Sequence, residues 1–174
     1  MKSILRSLLV AGGALFGLSL LASFANGLDA MSRSDKSFLQ NAYQDSLAEI
    51  DAAQLGHKSG NADVKTFSDR VAADLAKANA ELKTLASAKQ VTLSESPSLV
   101  AEAKSTPLDV KSDEGFDKAF AQTMIDNQKK AIDAFERAAS EGKDPDVKAF
   151  AAKILPTLRV HLSMAQELQS KVGK

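Results

Sequence analysis

A five-residue phrase written twice constrains this chain more than any other feature. "DVKTF" begins at Asp63 and "DVKAF" at Asp146, 83 residues later. The likeness extends upstream. "AEIDAA" (Ala48–Ala53) parallels "KAIDAF" (Lys130–Phe135), each followed by a glycine-containing turn, and "DKSF" from Asp35 echoes "DEGF" from Asp113. The repeated unit is therefore a helix–turn–helix hairpin. Each hairpin carries apolar stripes that it cannot bury alone, so two must pack face to face. The expected fold is all-α, a four-helix bundle.

Apolar spacings of three and four place the helices. The first is expected from about Ser34 to His57, with Phe38, Ala42, Leu47, Ile50 and Ala53 on one side. The second runs from about Ala62 to Lys89 and has the cleanest stripe: Val64, Phe67, Val71, Leu75, Ala78, Leu82 and Leu85. The third starts near Asp113 and ends before Gly142, turning Phe116, Phe120, Met124, Ala131, Phe135 and Ala138 inward. The fourth opens with Asp144 as N-cap and Pro145 at the first helical position. Pro156 lies inside it and predicts a bend near Ala152–Leu155. Between the hairpins, residues 90–112 contain Pro97 and Pro107, which forbid one continuous helix. A link of that length can run along the bundle and set the second and third helices parallel, the one-crossover topology of ferritin-like folds.

The N-terminus reads as a secretory signal peptide over residues 1–25. Lys2 and Arg6 precede an uncharged apolar run from Ser7 to Phe24, and Ser23 and Ala25 set small residues at −3 and −1 of a cleavage point. Residues 26–33 then form a flexible lead into a bundle domain over 34–174. The expected location is the periplasm or the exterior. An uncleaved inner-membrane anchor through residues 7–24 is the alternative, although Gly12, Gly13 and Gly17 interrupt a run that barely spans a bilayer. The chain has no Cys, which excludes disulfides, thiolate chemistry and a lipoprotein anchor.

Charge is balanced, with 22 basic and 22 acidic residues, so no basic surplus marks a nucleic-acid partner. Trp is absent and aromatics are few, which leaves no stacking platform for bases. A protein or envelope partner is the expectation that remains.

Four stretches together resemble the exported bacterial family called domain of unknown function 4142: "AEIDAAQLG", "DVKTFSDRVAADLAKANAELKTLA", "FDKAFAQTMIDNQKKAIDAFERAA" and "DVKAFAAKILPTLRVHL". They lie in order over nearly all of the chain after the signal segment. The resemblance implies export and a ferritin-like bundle, and it supplies no activity. The chain departs from the pattern where the family usually has His. An Asp-His pair in the second helix reads Asp74-Leu75 here, and Asp-His-Gln in the third reads Asp126-Asn127-Gln128. The fourth-helix His161 and the first-helix acid Glu49 remain.

Glu49, Asn127 and His161 are all expected to point inward, from three different helices. Buried polar groups without partners cost about 1–3 kcal/mol each, so a shared hydrogen-bonded network is expected among the three. Substitutions at Glu49 and His161 should then be coupled. A metal or redox site is the competing expectation. A di-iron bundle needs Glu-x-x-His on two helices. Here Gln54 and Leu158 stand three residues before His57 and His161. A mononuclear transition-metal site would have to draw on Glu49, Asp74, Asp126 and His161. No phosphate loop, nucleophile elbow or other catalytic constellation occurs, so no enzyme and no cofactor are expected.

Overall fold

The computed structural model describes residues 31–95 and 113–173, with the backbone alone at Asp113 and Glu114. The signal segment, most of the flexible lead and the two prolines of the link lie outside the described residues. Helix α1 spans Arg33–Leu55 and ends in a single 3-10 turn, Gly56–Lys58. Helices α2, α3 and α4 span Ala62–Ala88, Asp113–Glu141 and Pro145–Val172. The described residues contain no strand, and none of their helices is long and apolar enough to cross a membrane.

Local chemistry explains the ends. Ser32, Asn61 and Asp144 each accept a backbone N–H of the first turn of α1, α2 and α4, filling donors that a helix start leaves unpaired. Gln90 closes α2 with a φ of 56°. The expected bend in α4 does not interrupt the element, which continues through Pro156. Both Pro156 and Ala152, whose carbonyl loses its partner, are exposed, so water can satisfy that oxygen.

Cross-links fix the helix order. Lys171 to Asp63, His161 to Asp74 and Lys153 to Glu81 pair α4 against α2 in antiparallel register. The start of α1 meets the end of α3, where the Asp35 carboxylate accepts from the backbone N–H of Lys143 and of Asp144 at 2.9–3.2 Å. Following these contacts, α2 and α3 run parallel and need a crossover between them. Its first residues turn back along α1. Gln40 donates to the Thr92 carbonyl at 3.1 Å, and Tyr43 donates to Glu95 at 2.8 Å. The bundle of two hairpins joined by a long crossover is the arrangement read from the repeat.

The core falls into two apolar clusters. One, around Leu39, Tyr43, Leu82, Phe135 and Phe150, lies where α1 begins and α3 ends. The other, around Val64, Phe67, Val71, Phe116 and Phe120, lies at the opposite end. Asp35 pins the first of these ends. Asp35→Ala leaves two partly buried N–H donors of the α3–α4 turn unpaired and should cost about 1–3 kcal/mol in a urea melt. Asp35→Asn, which keeps one acceptor oxygen, should recover part of that loss.

Candidate functional site

The polar pairs that hold the candidate residues Glu49 and His161, and one groove, are all set by the helix pairing. The first pair joins α1 to α3. Glu49 is only 5% exposed, and Gln128, fully buried, donates its side-chain amide to Glu49 Oε1. Burial disfavours a bare carboxylate, and Asp45 one turn away adds like charge. Together they overcome the Gln128 hydrogen bond and push Glu49 from 4.5 up to about 8. Glu49 is therefore mostly a neutral acid at pH 7, with Oε1 accepting from the amide. The Gln128 Oε1 atom is buried without a partner.

The second pair joins α2 to α4. His161 Nε2 lies 3.0 Å from Asp74 Oδ2, and Arg70 Nε donates to the same oxygen at 2.6 Å. Burial holds His161 below its ordinary value against the pull of Asp74. Desolvation pushes Asp74 the other way, but the hydrogen bonds from Arg70 and His161 keep its carboxyl below the ordinary range. An ionised carboxylate can only accept, so the neutral imidazole carries its proton on Nε2. Its Nδ1 lone pair is then buried and unpartnered.

These contacts divide the expected network. Glu49 bonds Gln128 rather than Asn127 or His161, and His161 bonds Asp74. Asn127 is half-buried in the wall of the groove. Asp126 points outward and accepts from Gln122 at 3.0 Å. The reason is helical phase. Successive residues stand about 100° apart, and Gln128 continues the four-residue step from Phe120 and Met124. That step was the available signal, and the longer amide reaches the acid where Asn127 does not. His57 is exposed and faces Asp69 at 3.3 Å.

The groove opens between α1 and α3 and has a volume of about 570 Å³. Its cause is side-chain size. Ala42, Ala48 and Ala52 of α1 face a gap that α3 lines with Ala131, Ala134 and Ala138. Leu75 and Leu82 of α2 and Ile154 and Leu158 of α4 also line it. Glu49 sits toward one end with Thr123, and Phe38 and Phe135 meet edge-to-face at 5.0 Å toward the other.

Residues 22–168 match the model of a family described as "Domain of unknown function (DUF4142)". The chain belongs to this family. A solved DUF305 fragment from Deinococcus radiodurans shares the fold of this DUF4142 chain at a TM-score of 0.72 and 15% identity, covering 81% of this chain and 98% of that one. CopM in its Cu(I)-bound form is similar at 0.65 and 15%, covering 79% and 96%. CopM in its Cu(II)-bound form gives a TM-score of 0.61 over the same shares. No curated protein matches the chain. At this identity the likeness is one of helical fold alone.

The metal-site candidates of this DUF4142 chain are dispersed by the fold. Glu49 faces Gln128, Asp74 and His161 face each other, and Asp126 faces solvent. Among the described residues no group of three or more His, Cys, Asp or Glu is placed to hold an ion.

Proposed function

We propose that this DUF4142 protein is a non-enzymatic binding protein of the cell envelope, and that the groove between α1 and α3 is its working surface. The groove carries the reading. At about 570 Å³ it falls within the ~300–1,000 Å³ of small-molecule sites, with largely apolar walls and a few convergent polar groups. A bundle whose first and third helices faced each other with Leu would have no such space. Export rests on the charged start, apolar run and small residues before position 26.

Nile red, a neutral apolar dye, should bind the folded protein with one saturating site and a blue-shifted emission. Ala134→Trp places a large ring in the groove wall and should abolish that signal while circular dichroism stays helical. Dye binding undiminished in that variant would place the site elsewhere and end the proposal.

A second reading, metal binding, is favoured by the fold likeness to CopM and by the unpaired Nδ1 of His161. A copper ion would find one imidazole nitrogen there and no assembled donor set around it. Elemental analysis of protein from its native envelope tests it: stoichiometric copper, lost in His161→Leu, would establish this reading over the first.

A further inference from the structure

Resting on the groove as the binding surface, the structure also carries an argument about what binds. The two ends differ. Toward one end Phe38, Phe135, Phe150 and Ile154 give an apolar stretch. Asp35, Arg137, Glu141 and Lys143 line the groove farther along the same helices and turn, Asp35 already taken by the backbone N–H of Lys143 and Asp144. Toward Glu49 the wall carries two carboxyls and a buried hydroxyl. Glu49 and Asp45 lie one turn apart on α1, and both line the groove. Gln128 donates to one oxygen of Glu49, Oε1, and does not engage Oε2. Ser46 also lines the groove, and its Oγ, able to accept or to donate, is buried without a partner. Once Glu49 gives up its proton this end offers a carboxylate and a hydroxyl able to accept, and a protonated amine brings three donors.

We infer that the groove takes a free single-chain amphiphilic amine, its nitrogen against Glu49 and its apolar chain along the alanine-lined length toward Phe38 and Phe135. The volume suits one drug-sized molecule rather than a two-tailed lipid. The bases of the site are exposed side chains that water screens: Lys130 in the middle of α3, two residues after Gln128, Arg137 in its last turns and Lys143 just beyond its end.

Binding moves a proton. Glu49 stands at about 8 in the empty groove, raised by burial and by Asp45. Lys130 lines the same groove from α3, while α2 and α4 line it with apolar side chains and Asn79, none of them titratable. The ammonium enters from water already charged, Glu49 releases its proton to solvent, and a carboxylate–ammonium pair forms. Affinity should therefore rise about tenfold per pH unit while pH remains below the Glu49 value. A simple amine, near 10.4, stays protonated throughout.

Calorimetric titration with n-decylamine, n-decanol and n-decanoate, each below its aggregation concentration, tests this between pH 6 and 7.5. Repeating it in buffers of different ionisation enthalpy counts protons. Decanol should bind independently of pH. Decylamine should tighten about tenfold per unit and release close to one proton. In Glu49→Gln the slope and the proton release should vanish, and the preference for amine over alcohol should fall to near one. Amine no tighter than alcohol, a slope that survives Glu49→Gln, or decanoate binding tightest would each overturn the amine assignment. Decanol binding in those cases would leave the groove reading standing. Failure of all three ligands to bind would overturn both.

Discussion

Glu49→Gln should raise the stability of the folded protein by about 3 kcal/mol at pH 7. In the unfolded chain Glu49 titrates near its ordinary 4.5, and in the fold near 8. Below pH 4.5 both states hold the proton, and the buried acid carries no penalty. Between the two values the unfolded chain has released a proton that the folded protein keeps, so stability falls as pH rises. At about 1.4 kcal/mol per unit the loss is ~3 kcal/mol by pH 7 and levels off near ~5 kcal/mol above pH 8. Glutamine does not titrate, and its carbonyl can still accept from Gln128. Urea melts at pH 5, 7 and 8 should show wild type weakening and the variant flat by comparison. Parallel profiles for the two proteins would mean that Glu49 is ionised in the fold. His161 acts in the opposite sense. Its folded value is lowered, so its contribution is intact above ~6.5 and declines as pH falls below that.

His161→Ala should cost about 2–4 kcal/mol at pH 7, whereas His161→Leu should be close to neutral. His161 is fully buried, and truncation to Ala leaves a void among packed side chains. Leu restores the volume and also removes Nδ1, an unsatisfied atom worth ~1–3 kcal/mol against the fold. Asp74 is 21% exposed and keeps Arg70, so it is not stranded by either change. The two substitutions should differ by about 2 kcal/mol in urea melts, and equal losses would contradict this account. Glu49 and His161 share no partner, so Glu49→Gln with His161→Leu should be additive within ~0.5 kcal/mol. The two side chains sit in separate pairs, Glu49 with Gln128 and His161 with Asp74, which removes the basis for coupling between them.

The helices were legible because their signals are local. Stripe spacing, the Asp144 cap and the proline after it each act within a turn of the helix they define. The parallel setting of α2 and α3 was legible too, since a long link between repeated hairpins permits it. The polar partners were not, because choosing between Asn127 and Gln128 requires the rotation of α3 to within one residue. Apolar pattern does not fix that rotation when alanines occupy the neighbouring stripe positions. The groove was hidden for a related reason. Ala42 and Ala131 read as core residues in a pattern, yet whether small side chains pack or leave space depends on what stands opposite. The short turn at Gly56–Lys58 was absorbed into the first helix, since 3-10 and α segments share one apolar rhythm over so few residues.

The repeat noted at the outset gives the groove a sense of direction. Its two walls are equivalent helices, the first of each hairpin, and the match of Ala48–Ala53 with Lys130–Phe135 sets Glu49 against Ala131 and Ala52 against Ala134. All four residues line the same space. A pair of identical hairpins around a dyad would have to write its acid twice, placing two buried carboxyls in one cavity where each would oppose ionisation of the other. Carried on one chain, the halves are free to differ. One copy keeps the acid and the other keeps a methyl group, so the slot has a head and a tail, and whatever enters it can lie in only one orientation.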